Sequence, residues 1–138
     1  PGMRRHHRGN RTGGGVDNTQ ENSTLRALVV FRDGSHPLKW MLRKGFQHCF
    51  VCVESDGFWI QIDAETGITI VKTVATSDFD LAAHIKGMGF TVVETYQRQA
   101  SVTFPFSIRN CVGLVKAILC IGSWSLTPYG LYKYLRKN

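Results

Sequence analysis

The sequence predicts an α+β domain: an antiparallel sheet of roughly four to six strands, with a helix that opens at Cys111 packed on one face. Three observations predict it. Short apolar segments with two-residue alternation follow one another from residue 25 to residue 74, separated by turn dipeptides. A separate segment, 110–121, carries apolar residues at helical spacing. A last segment opens with Thr127-Pro128, a helix-start pair, and closes on Lys133, Arg136 and Lys137.

At 138 residues the chain is long enough for one real core. Residues 1–24 stand apart from it: polar, glycine-rich and basic, with no apolar periodicity, they read as a disordered arm, so the domain spans 25–138. The net charge is +7, and much of the excess is terminal, in Arg4, Arg5, Arg8 and Arg11 and in the three cations near the end. Such ends suit phosphate, an anionic wall polymer or an acidic protein surface. Recognised nucleic-acid motifs are missing, which makes nucleic acid a weak partner. The longest apolar run, 112–121, contains Lys116 and is far too short to span a bilayer. Four cysteines do not make a disulfide framework, and no apolar signal segment follows the charged start, so synthesis in the cytoplasm with reduced thiols is expected.

In order, 25–31 (LRALVVF) is a strand closed by Asp33-Gly34. Residues 37–44 form a short helix or an irregular loop, ended by Gly45. Residues 46–54 (FQHCFVCVE) are a strand whose alternation puts Phe46, His48, Phe50 and Cys52 on one face and Cys49, Val51 and Val53 on the other. Ser55-Asp56-Gly57 turns the chain into a returning strand, 58–63, with Trp59, Gln61 and Asp63 on one side. Glu65-Thr66-Gly67 turns it again into 68–74. Residues 79–86 suit a short helix after the capping run 77–80, and 90–96 and 101–104 suit strands or extended chain. Asn110 is a good N-cap for the next helix, in which Leu114, Val115 and Ile118 share a face with Cys111. The final helix would turn Tyr129, Tyr132 and Leu135 inward.

Cys111 is the leading nucleophile. A thiol at a helix N-terminus meets the positive end of the helix dipole, which favours the thiolate. Its base would be His48, on the assumption that His48 points to the face where the helix docks. A third polar residue would orient the imidazole, and Asp63 and Gln61 both qualify. They lie on the same face of the same strand; Asp63 would stabilise an imidazolium, and Gln61 could only orient it. The Cys49-x-x-Cys52 spacing looks like a zinc knuckle, but Phe50-Val51 prolongs a strand and sends the thiols to opposite faces, so neither a metal nor another cofactor is expected.

His48-Cys49-Phe50-Val51-Cys52-Val53 and Asn110-Cys111-Val112-Gly113-Leu114-Val115 resemble the histidine and Asn-Cys boxes of the circularly permuted papain-like hydrolases. That group contains the lecithin:retinol acyltransferase-like proteins and relatives of the NlpC cell-wall peptidases. Histidine before cysteine marks the permuted order. The resemblance spans roughly 25–135, with about a dozen specific residues, and the stretches around Trp59-Ile60 and Thr127-Pro128-Tyr129 look like small phage-encoded members. It departs from the acyltransferase branch, which commonly carries a second histidine a dozen positions after the first; here position 60 is Ile, and counting across the longer turn lands on Gln61. The resemblance implies a cysteine hydrolase acting on an amide or peptide bond, with a peptidoglycan stem peptide as the first substrate to test. The alternative is a non-enzymatic virion or assembly protein that uses the same fold and docks on a partner through residues 1–24.

Overall fold

In a computed structural model of the chain, the structure describes residues 24–35, 39–65, 68–98, 110–123 and 125–137. Residues 1–23 of the proposed 1–24 arm and the proposed strand or extended chain at 101–104 lie outside them. The described elements are β1 (Arg26–Arg32), a 3-10 turn (Lys39–Met41), β2 (His48–Ser55), β3 (Phe58–Glu65), β4 (Ile68–Thr76), α1 (Leu81–Gly87), β5 (Thr91–Tyr96), α2 (Cys111–Leu119) and α3 (Pro128–Lys137). The fold is α+β, as expected, with one sheet of order β4-β3-β2-β1-β5 in which every pairing is antiparallel.

β1 to β4 pair in sequence order as an antiparallel meander; the β1–β2 link, 33–47, carries the 3-10 turn, and the β2–β3 link is the two-residue turn Asp56-Gly57. The Asp56-Gly57 link places both residues at positive φ, 50° and 83°, which an Asp-Gly pair tolerates. The chain then crosses the sheet through α1 and returns as β5 against the far side of β1. Asp80 caps α1 by accepting from the Ala83 N–H at 3.0 Å.

The central strands β1 and β2 are buried along nearly their whole length because both faces are covered. One face carries Ala27, Val29, Phe31, Cys49, Val51 and Val53, against Val112, Val115 and Leu119 of α2 and Leu131 and Leu135 of α3. The other carries Leu28, Val30, Phe50, Cys52 and Trp59, against Leu81, Ala82 and Ile85 of α1.

Two inward faces differ from the sequence reading. α2 buries Val112, Val115 and Leu119, while Leu114 and Ile118 are half-buried at its flanks. The reason is that α2 is wedged between the sheet and α3, so its contact stripe is rotated from the one that Leu114 and Ile118 would centre. α3 buries Leu131 and Leu135, not Tyr129 and Tyr132. The tyrosines line its margin instead, where Tyr132 meets Phe46 in a tilted contact at 4.8 Å and Phe31 edge-on at 5.5 Å. Among the described residues no helix is long and apolar enough to cross a membrane.

Candidate active site

The site lies where β2 and β3 part. At this end of the sheet the last β2–β3 pair is Val51↔Ile62. β2 nevertheless stays on β1 as far as Arg32↔His48, and β3 stays on β4 as far as Glu65↔Ile68. His48, Cys49 and Asp63 all lie past that last pair, in the opening between the two strands.

Asn110 brings the helix start to this opening. Its backbone is extended, its side-chain oxygen accepts from the Gly113 N–H at 2.7 Å, and its carbonyl accepts from the Leu114 N–H at 3.0 Å. The amides of Cys111 and Val112 belong to the first turn, where a helix has no acceptor of its own for them.

The Cys111 thiol is half-buried and in hydrogen-bonding contact with both His48 and Cys49. The expectation that His48 lies on the face where the helix docks is corrected here. α2 docks on the face of Cys49 and Val51, and His48 by alternation belongs with Phe50 and Cys52. The parting of β2 and β3 is what lets one sulfur meet side chains from both alternations, because no ladder separates them at that level.

His48 Nε2 lies 2.7 Å from Asp63 Oδ1. That leaves Nδ1 as the ring nitrogen for Cys111. In the β2–β3 register position 63 would face position 50, so Asp63 is the same-face diagonal neighbour of His48. The Asp63 side chain is only 4% exposed, and Arg32 Nη2 stands 3.9 Å from its second oxygen. Gln61, two residues earlier, pairs with Cys52 and lines a cavity of about 280 Å³ with Phe50, Leu81 and His84 beside α1. The structure therefore brings Cys111, His48 and Asp63 together and leaves Gln61 outside the group.

The electrostatics follow from these contacts. The hydrogen bond to Asp63, then that to Cys111, raises His48 from 6.5 to about 9, against the opposing effect of burial. Cys111 is lowered from 9.0 to about 4: the Cys49 thiol contributes most, burial opposes, and His48 and the Cys49 backbone N–H add to the lowering. Cys49 is pushed well above 9.0, first by donating to Cys111 and then by burial, so it stays a thiol. Between about pH 4 and 9 the pair is thiolate and imidazolium. Cys52, on the α1 side, is pushed up to about 12 by burial.

Two members of this cluster were not singled out as site residues in the sequence. In the sequence Cys49 stands out only through its Cys49-x-x-Cys52 spacing, and its signal as a site residue is the alternation itself, which aims it at whatever helix covers Val51. Arg32 had no signal, because its place beside Asp63 depends on the β1–β2 register. Among the described residues no group of His, Cys, Asp and Glu is arranged to hold a metal ion. No family model, no curated protein and no solved structure matches this chain.

Proposed function

We propose that the protein is a cysteine hydrolase that cleaves an amide or peptide bond through Cys111, with His48 as acid and base and Asp63 as the residue that orients and charges the imidazole. The observation that carries this reading is the relay of contacts from a helix-start thiol to an imidazole and on to a buried carboxylate. A structural ion pair needs no such order, whereas acyl transfer uses every part of it.

The thiolate attacks the substrate carbonyl carbon, a C–S bond forms, and the carbonyl electrons move onto oxygen. The Cys111 N–H, at the positive end of α2, is placed to donate to that oxyanion. As the tetrahedral species collapses, His48 gives its proton to the leaving amine and the C–N bond breaks, leaving a thioester. Neutral His48 then takes a proton from water, the hydroxide attacks the thioester, and Cys111 leaves as the thiolate. Asp63 keeps its hydrogen bond to His48 throughout, which favours the imidazolium that opens and closes the cycle.

A peptidoglycan stem peptide is the substrate to try first, on the resemblance of the histidine and Asn-Cys boxes to permuted papain-like hydrolases and on the attraction of a polyanionic wall for a chain of net charge +7. The test has two readouts. Iodoacetamide at mildly acid pH should alkylate Cys111 ahead of Cys49, Cys52 and Cys120, and His48→Ala should slow it. On wall peptides, Cys111→Ala should abolish turnover without unfolding the domain. Preferential alkylation of another cysteine sinks the nucleophile. Rapid alkylation without turnover of any wall peptide moves the assignment to another acyl substrate or to the virion scaffold.

A further inference from the structure

The Cys49 thiol takes part in no bond-making step of the hydrolysis. Cys49 is fully buried in the core cluster under α2, and Cys111, at the start of that helix, packs against the same cluster, with the two side chains interacting. The two thiols, one partly exposed and one buried, thus come from two different elements to one place in the core. We propose that Cys49 and Cys111 are a peroxide-reactive dithiol, in which Cys111 is oxidised to the sulfenic acid and Cys49 resolves it as a reversible intramolecular disulfide that switches the site off. The proposal rests on the reading of Cys111 as an accessible thiolate nucleophile.

The chemistry balances. The Cys111 thiolate attacks one oxygen of hydrogen peroxide; an S–O bond forms, the O–O bond breaks, and sulfur loses two electrons to the peroxide. The released hydroxide takes the proton of the His48 imidazolium and leaves as water. The Cys49 thiol then attacks the sulfenic sulfur, an S–S bond forms, the S–O bond breaks, and the departing hydroxide takes the Cys49 proton as a second water. The thiolate, the imidazolium, the thiol and one peroxide thus give the disulfide, a neutral imidazole and two waters.

The site changes in favour of the second step. While Cys111 is a thiolate, Cys49 is held protonated by donating to it and by burial. Once Cys111 is a neutral sulfenic acid that charge is gone, and Cys49 is freer to release its proton. Geometry restricts the resolving partner to Cys49. Cys52 points to the α1 side of the sheet. Cys120 follows the last residue of α2, about 14 Å along the helix axis at the usual rise per residue. The half-exposed sulfur meets oxidant first, while the resolving thiol sits at 0% exposure, out of reach of direct attack.

The test uses the reduced full chain and dilute hydrogen peroxide, followed by digestion without reductant and mass spectrometry. The expected result is a Cys49–Cys111 linked peptide pair, loss of iodoacetamide labelling at Cys111, and full recovery of labelling with dithiothreitol. Cys49→Ala should instead give a dimedone-trappable sulfenic acid that runs on to sulfinic acid, with labelling lost for good. Cys49→Ser keeps the volume and should behave the same way if the alanine variant folds poorly. Sulfinic acid at Cys111 of the unaltered chain with Cys49 still free, or a disulfide joining any other pair, overturns the proposal. If iodoacetamide labels Cys111 rapidly but peroxide yields no link to Cys49, only this inference fails. If Cys111 resists both reagents, the nucleophile reading fails with it.

Discussion

Asp63 sets the charge of the imidazole, through a hydrogen bond to His48. Because that bond is the first cause of the raised imidazole, replacing the carboxylate by an amide of the same shape should let His48 fall from about 9 toward its ordinary 6.5. The Cys111 thiol titrates near 4, where even an ordinary imidazole is still protonated, so it should stay there. Asp63→Asn is therefore expected to move the alkaline limb of the turnover profile downward in pH, while Gln61→Ala leaves it in place. Titration of the His48 ring followed by NMR reads this without a substrate; an unmoved His48 in Asp63→Asn would remove Asp63 from the site. The choice between these two residues was not legible in the sequence. They sit on the same face of one strand, and only the Val51↔Ile62 register and the opening beyond it bring position 63, not 61, beside His48. The thiol and the histidine were legible, because each carries its signal locally: a cysteine after an N-cap asparagine, and a lone histidine in an apolar strand.

Element by element, the legible parts are those whose pattern is local. The β1–β4 meander follows from alternation and turn residues, and α2 from Asn110 and its apolar spacing. Which stripe of a helix turns inward is not local, since it depends on how many neighbours the helix has. α2 touches both the sheet and α3, and the stripe moves to Val112, Val115 and Leu119. That placement has an energetic consequence. Leu119→Ala removes a fully buried side chain from the centre of the core and should cost about 2–5 kcal/mol. Leu114→Ala, at the half-buried flank, should cost clearly less. Asn110→Ala removes the acceptor of the Gly113 N–H and should cost about 0.5–2 kcal/mol. It should also slow alkylation of Cys111, because the same cap holds the first turn against the opening in the sheet. Urea unfolding of the three variants, with the alkylation rate measured beside it, checks the order; equal losses for Leu114→Ala and Leu119→Ala would contradict the observed packing.

For the molecule as a whole, the ion pair couples chemistry to stability, and the two partners act with opposite sign. His48 has an ordinary value of 6.5 and a folded value of about 9. Its contribution is fully present below 6.5 and is lost as pH rises toward 9, since the folded chain holds a proton the unfolded chain has released. Cys111 has an ordinary value of 9.0 and a folded value of about 4. Its contribution is fully present above 9.0 and is lost as pH falls toward 4. Between 6.5 and 9 the folded and unfolded chains bind equal numbers of protons at this pair, and its net pH slope vanishes. Between 4 and 6.5 the unfolded chain binds one more, and stability should rise with pH. The variants separate the two effects from every other titrating group. The stability advantage of the unaltered chain over Cys111→Ala should grow as pH is raised from 4 to 6.5. Its advantage over His48→Ala should shrink as pH is raised from 6.5 to 9. Turnover, which needs the thiolate and the imidazolium together, should follow a bell between limbs near 4 and 9. Denaturant unfolding of the three proteins across this range needs no substrate. If both differences stay flat with pH, Cys111 and His48 are a neutral core pair, and the hydrolase reading loses the charge separation on which it depends.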